Sequence, residues 1–165
     1  MITLERVTPQ NILVYRDVRL RALQDTPWAF GSTHARESQL TDAAWMERAK
    51  RWDGVTGILY LAMDLDVACA MAGSFIDPED ATRAQLISMW TAPTHRQKGV
   101  GRMLVEQVME WAKSRGVTVL TLMVTSVNPT AMKFYKQLGF TRTGRTEPYP
   151  NDAAVIEYEM ARAIG

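Results

Sequence analysis

Cysteine is almost missing: Cys69 is the only one among 165 residues, so no internal disulfide can staple the fold. It lies in the apolar run Val67-Ala68-Cys69-Ala70-Met71, where a small buried side chain is expected rather than a nucleophile. Histidine is scarce too. His34 and His95 stand far apart, and with one cysteine they offer no metal-ligand spacing, so no metal is expected. No apolar run approaches bilayer length, and the opening MITLERVTPQ carries charges where a secretory leader needs an apolar core. The expectation is a cytoplasmic protein without a membrane partner. A surplus of charge is absent as well: nineteen Lys and Arg against eighteen Asp and Glu leave a net +1. No global field therefore draws in nucleic acid, and none is expected as a partner.

What is present is an ordinary globular composition, 47% apolar and 22% charged, which excludes a disordered or fibrous chain. Its length fits one domain, residues 1–165, with a substantial core. Thr8-Pro9 reads as an N-cap and first turn, starting a helix to about Gln24 after an opening strand over Ile2 to Val7. Trp28 to Leu40 shows no clear period, and Thr41-Asp42 caps a helix over Ala43 to Trp52. Three runs of strand type follow, Gly57 to Met63, Val67 to Phe75 and Ala84 to Thr91, forming an antiparallel meander. A helix over Val100 to Ser114, with apolar Val100, Leu104, Val108, Trp111 and Ala112 and Gly116 as its stop, leads to a strand over Val117 to Val124. That unit requires parallel pairing. A helix from Pro129 to Leu138, a strand near Phe140 and a last strand over Ala154 to Met160 complete a mixed α/β sheet with helices on both faces.

The segment with most chemistry is Leu86 to Leu104, where a strand turns through Arg96-Gln97-Lys98-Gly99-Val100-Gly101 into a helix. Glycines let backbone amides approach an anion closely, and a helix N-terminus adds partial positive charge, so the turn suits a diphosphate. It is neither a Walker loop nor a dinucleotide fingerprint, because both spacings are missing. A nucleotide-binding protein with an atypical phosphate loop is a remote alternative. Arg96-x-x-Gly99-x-Gly101 resembles the [QR]-x-x-G-x-[GA] signature of the GNAT superfamily of N-acetyltransferases. Asn128-Pro129-Thr130-Ala131-Met132-Lys133-Phe134-Tyr135-Lys136-Gln137-Leu138-Gly139-Phe140 looks like the second cofactor segment of that superfamily, in the same order and at the same distance.

The resemblance implies a single-domain fold with a mostly antiparallel sheet of about seven strands, splayed between the fourth and fifth, and about four helices. It implies acetyl-coenzyme A as cosubstrate and transfer of its acetyl group to a primary amine, on a small molecule or a peptide, by direct attack in a ternary complex. Backbone amides from Gln97, Lys98, Gly99, Val100, Gly101 and Arg102 would hold the pyrophosphate, with charge from Arg96, Lys98 and Arg102 nearby. Met89, Trp90 and Thr91 match positions whose backbone pairs with the pantetheine arm. A bulge there would aim an N–H at the thioester carbonyl, and Pro93 limits regular pairing beyond. Asn128 matches a coenzyme-contacting asparagine and also suits a helix N-cap.

Tyr135 occupies the general-acid position, seven residues on from Asn128 and on the same helix face. A phenol of pKa about 10 can protonate a departing thiolate. Places where relatives carry a catalytic glutamate hold Gln85 and Met123, so the base is unassigned, and a non-catalytic acyl-coenzyme A-binding module is the alternative function. Glu37, Asp77, His34 and His95 are near in sequence to loops that could line the acceptor side, although a solvated loop residue is the favoured reading of each, and Trp28, Phe30 and Tyr149 are candidates to shape the acceptor pocket. The acceptor itself is not legible, and the resemblance is compatible with a homodimer.

Overall fold

Apolar residues at strand spacing, broken by Gly, Asp and Asn turns, fold into seven strands in the computed structural model, which describes residues 1–165. They are β1 (Ile2–Arg6), β2 (Gly57–Asp64), β3 (Val67–Asp77), β4 (Asp80–Thr91), β5 (Val119–Thr125), β6 (Thr141–Tyr149) and β7 (Asp152–Ala163). All join one sheet in the order β1-β2-β3-β4-β5-β7-β6, parallel only between β4 and β5. The helices are α1 (Ile12–Asp25), α2 (His34–Glu37), α3 (Asp42–Ala49), α4 (Val100–Ser114) and α5 (Pro129–Gln137). The expected mixed sheet of seven strands is borne out, with a fifth helix in the single turn α2.

Two cores lie on opposite faces of the sheet. On one, Val100, Leu104, Val105, Val108 and Ala112 of α4 pack with Leu120, Leu122 and Phe140. Burying each large aliphatic side chain there stabilises the fold by roughly 1.5–3 kcal/mol. On the other, Val18, Ala22 and Leu23 of α1 and Trp45 of α3 cover Leu59, Leu61 and Met71. Cys69 is buried, and its Sγ–H donates to the carbonyl of Ala62 at 3.4 Å. No helix is long and apolar enough to cross a membrane.

Several boundaries differ from expectation: α3 ends at Ala49 rather than Trp52, β4 begins at Asp80 rather than Ala84, and β7 spans Asp152–Ala163 rather than Ala154 to Met160. Two further differences have a local cause. Thr8-Pro9 does not start α1, because Asn11 takes over the turn: its Oδ1 accepts from the Thr8 amide at 2.7 Å and its Nδ2 donates to Arg6 O at 3.0 Å. The helix proper begins at Ile12. Strand β6 is nine residues long rather than a short run near Phe140, and as the outermost strand it tolerates Pro148.

Candidate active site

Strands β4 and β5 lie side by side only at Arg83↔Val119, Ala84↔Leu120 and Gln85↔Thr121. The Thr121 hydroxyl donates to Ala84 O at 3.3 Å near the last contact, and beyond it the strands part. The gap opens into a cavity of about 480 Å³ lined by Gln85 to Met89 and Leu122 to Thr125. Asn128, Ala131 and Tyr135 reach it from the α5 side, and Phe30, Ser32, Glu147 and Glu157 are among its other walls.

The wall formed by β4 is bent by a bulge. Ser88 has φ +55°, and the pairing with β3 slips by one residue between Ile87↔Gly73 and Trp90↔Met71. The extra residue reverses side-chain parity, so that Met89 packs with the α4 core while Trp90 joins the α1 core. There the Trp90 indole N–H donates to Asp25 at 3.0 Å. Ser88 Oγ accepts from Arg19 at 3.2 Å, and Arg19 is gripped by both oxygens of Glu37 at 3.1 and 3.0 Å. Arg48 adds a third bond to Glu37 at 3.1 Å. Burial alone would raise the Glu37 carboxyl, but two guanidiniums outweigh it and hold the group below its ordinary range.

Glu37 is therefore an ion that braces the bulge, and it does not line the cavity. The other loop candidates also lie elsewhere. Asp77 accepts the Glu79 amide at 2.8 Å in its turn, and His95 Nε2 meets Asp64 at 2.8 Å. His34 is absent from the cavity walls as well.

The glycine turn has the form a close-approaching anion needs. Gln97 and Gly99 take positive φ, +60° and +80°, so Gly99 supplies a left-handed N-cap. Gly101 supplies room instead, since a Cβ there would stand 3.0 Å from Met89 Cε and 3.1 Å from Phe134 Cζ. Those two contacts seat the turn against a cavity wall and against the neighbour of Tyr135. The first α4 amide to find an acceptor is that of Met103, on Gly99 O at 3.1 Å, which leaves the amides from Gln97 to Arg102 available.

Of the expected mobile cations only Lys98 is uncommitted. Arg96 donates to Thr91 O at 2.9 Å and pairs with Asp25, and Arg102 pairs with Glu106 at 3.0 Å. Val100 is buried at the start of α4 and offers only its backbone. Asn128 caps α5 by accepting the Ala131 amide at 3.2 Å, and it lines the cavity as well. Tyr135 is 9% exposed, its ring 6.0 Å from Phe140 edge-on and 5.3 Å from Phe134. Its hydroxyl makes no hydrogen bond to protein, and burial pushes its pKa upward.

The structure thus brings Met89, Asn128 and Tyr135 to one cavity with the glycine turn beside it. Trp90 and Thr91 face away or serve the backbone. Of the aromatics expected to shape the acceptor pocket, Phe30 lines the cavity and Trp28, 44% exposed, does not. Tyr149 ties the β6–β7 turn down, its hydroxyl sitting on the carbonyls of Pro27, at 3.0 Å, and Phe30. Sequence reasoning missed Arg19, Glu147 and Glu157. The hairpin around Pro150-Asn151 was a usable signal for the two glutamates, which face each other across it.

A model of the acetyltransferase (GNAT) family matches residues 19–140. The chain belongs to the GNAT acetyltransferase family. The GNAT resemblance read from two segments is borne out, and with it an acyltransferase that draws on acetyl-coenzyme A. The ribosomal protein bS18-alanine N-acetyltransferase of Salmonella typhimurium is 34% identical over 107 residues, 64% of this chain and 71% of that relative. A GNAT-family acetyltransferase of Streptococcus pneumoniae superposes with a TM-score of 0.85 at 20% identity, covering 100% of both chains. YncA of Salmonella typhimurium, solved with its cofactor acetyl-CoA, gives 0.80 at 15% identity over 100% of this chain and 95% of its own. Both solved structures share the fold of this chain.

Proposed function

We propose that residues 1–165 form one N-acetyltransferase domain that moves an acetyl group from acetyl-CoA to a primary amine, the amine attacking directly while both substrates are bound. One observation carries this reading: Tyr135, a buried residue whose hydroxyl has no protein partner, lines the gap where β4 and β5 part. Acetyl-CoA supplies an acyl group already activated as a thioester. The free amides of Gln97 to Arg102, with Lys98 alongside, bind its pyrophosphate. The main chain of Met89 to Thr91 and the Asn128 side chain border the pantetheine arm.

The bulge at Ser88 removes a residue from the β3 ladder and so releases a main-chain N–H for the negative charge that grows on the carbonyl oxygen. Arg19 and Glu37 keep that bulge in place. Tyr135 hands its proton to sulfur as sulfur departs, and its raised pKa keeps the hydroxyl protonated until then.

Calorimetry with acetyl-CoA, followed by a panel of spermidine, lysine amide and an alanine-led tripeptide with thiol release as the signal, tests this reading. Micromolar or tighter binding and turnover above background hydrolysis are expected. Binding without turnover of any amine would favour a non-catalytic acyl-CoA module, for which Gln85 and Met123 in the cavity wall are the argument.

A further inference from the structure

An acceptor ammonium must lose a proton before its nitrogen can attack, and neither Gln85 nor Met123 can take one. Two carboxylates line the same cavity from the β6–β7 hairpin, Glu147 and Glu157, directly opposite each other in the ladder. Their partners differ. Glu147 pairs with Arg145, and Glu159, one side-chain repeat along β7, takes Arg145 at 3.4 Å and the Thr143 hydroxyl at 2.9 Å. Glu157 is half-buried and has neither an ion pair nor a hydrogen bond. Independently, Tyr135, 9% exposed and with a hydroxyl equally unpartnered, lines the cavity. An uncommitted proton donor and an uncommitted carboxylate thus line one cavity.

We propose that Glu157 is the catalytic base of this chain, replacing glutamates absent at positions 85 and 123, and that the Glu147–Glu157 pair captures the acceptor amine as its ammonium ion. This rests on the acetyltransferase reading above. Position supports it: Glu157 faces Thr125 across the β5–β7 ladder, where the gap is open. The charged and titratable groups around it are Glu147, Arg145 and Tyr149 from β6, Glu159 on β7, Arg19 from α1 and Tyr135 from α5. Arg19 is already committed to Glu37 and Ser88. Among polar side chains, β5 contributes only Thr125 to the cavity, and β4 only Gln85 and Ser88. Burial, and then the like charge of Glu147, push the Glu157 carboxyl upward, which suits a base that must accept a proton near neutrality.

The proton inventory closes. Glu157 takes one proton from the ammonium, which leaves a lone pair on nitrogen. That pair forms the C–N bond, the C–S bonding pair departs on sulfur, and sulfur receives the Tyr135 proton. The second proton shed by nitrogen restores Tyr135, and Glu157 releases the first to solvent. Ammonium and thioester have become amide, thiol and one free proton.

The test compares wild type, Glu157→Gln and Glu147→Gln across pH 6–9 with the amines named above. In Glu157→Gln, kcat/KM falls by about 100-fold or more and the acid limb disappears, while acetyl-CoA affinity stays within about twofold. Glu147→Gln moves the acid limb to lower pH, since a like charge no longer opposes ionisation of Glu157. Carbon-13 titration of the glutamate carboxyls in the ligand-free protein gives a readout apart from turnover. Glu157 ionises above the ordinary carboxylate range, and returns toward it in Glu147→Gln. Turnover of Glu157→Gln within threefold of wild type, or an ordinary Glu157 titration, overturns the proposal. Failure of acetyl-CoA to bind instead sinks the acetyltransferase reading, and the carboxyl titration still judges the pair.

Discussion

At Tyr135 and Glu37, burial leads to opposite ends. Tyr135 has no charge beside it to favour the phenolate, so desolvation alone raises its pKa and keeps the proton on through neutral pH. Replacing it with Phe removes that proton while leaving the ring among Phe134 and Phe140. Tyr135→Phe is expected to lower kcat by about 100-fold or more with acetyl-CoA affinity within twofold, measured by steady-state kinetics beside calorimetry. Glu37 has two guanidiniums beside it, and their attraction outweighs burial.

Glu37→Gln strands Arg19 and Arg48 and is expected to destabilise the fold by about 3–5 kcal/mol in urea melts at pH 7. Because the folded carboxyl sits below its unfolded value of about 4.3, this stabilisation is complete above that value. It is lost as pH falls through the lowered folded value. The difference between wild type and variant therefore shrinks at the acid end of a pH series.

The glycine turn and the β4 bulge separate what neighbouring residues can announce from what they cannot. Gly99 and Gly101 are legible in sequence, and the structure shows that they do different jobs. Gly99→Ala forces a Cβ into a left-handed conformation, destabilising the turn by about 1–2 kcal/mol, with open space around it. Gly101→Ala instead pushes Met89 and Phe134 apart. Both should weaken acetyl-CoA binding in calorimetry, Gly101→Ala with little change in melting temperature and Gly99→Ala with a clear fall.

Helix α4 was readable to its ends because its apolar positions recur at helical spacing, and α5 because Asn128-Pro129 is a strong start signal. A bulge at the end of β4 was anticipated through the family resemblance alone; its place at Ser88 and the parity reversal were not readable from local pattern, for Arg19 and Glu37, which hold Ser88, are distant in sequence. Glu157 stayed hidden for a related reason: β7 inserts between β5 and β6, and the hairpin slips register between Pro148 and Tyr149. Local pattern cannot report such a non-local order.

Across the whole molecule, the cavity wall proposed to receive the acceptor is built by strapping the segment from Pro27 to Ser32 onto the β6–β7 hairpin. Asn151 Nδ2 donates to Phe30 O at 3.0 Å and to Ser32 O at 2.9 Å, while Tyr149 holds Pro27 and Phe30. The Thr125 hydroxyl adds a bond to Trp28 O at 3.2 Å. The strap fixes the wall that carries Phe30 and Ser32, far from the glycine turn. Asn151→Ala is therefore expected to raise the acceptor KM about three- to tenfold, the order expected from losing one or two hydrogen bonds. Acetyl-CoA affinity should remain unchanged, a split that steady-state kinetics with both substrates varied would read.

Where β4 and β5 diverge past Gln85 and Thr121, the ladder is left with two inward-facing borders in the middle of the sheet. Main-chain groups along Ile87 to Met89 and Leu122 to Thr125 that point across the fork have no strand opposite them. Their amide protons exchange with deuterated solvent whenever the fork is vacant and slow down when an extended molecule lies between the borders. The fork thus carries its own occupancy gauge, readable by mass on the intact chain with no dye, coupled enzyme or known acceptor.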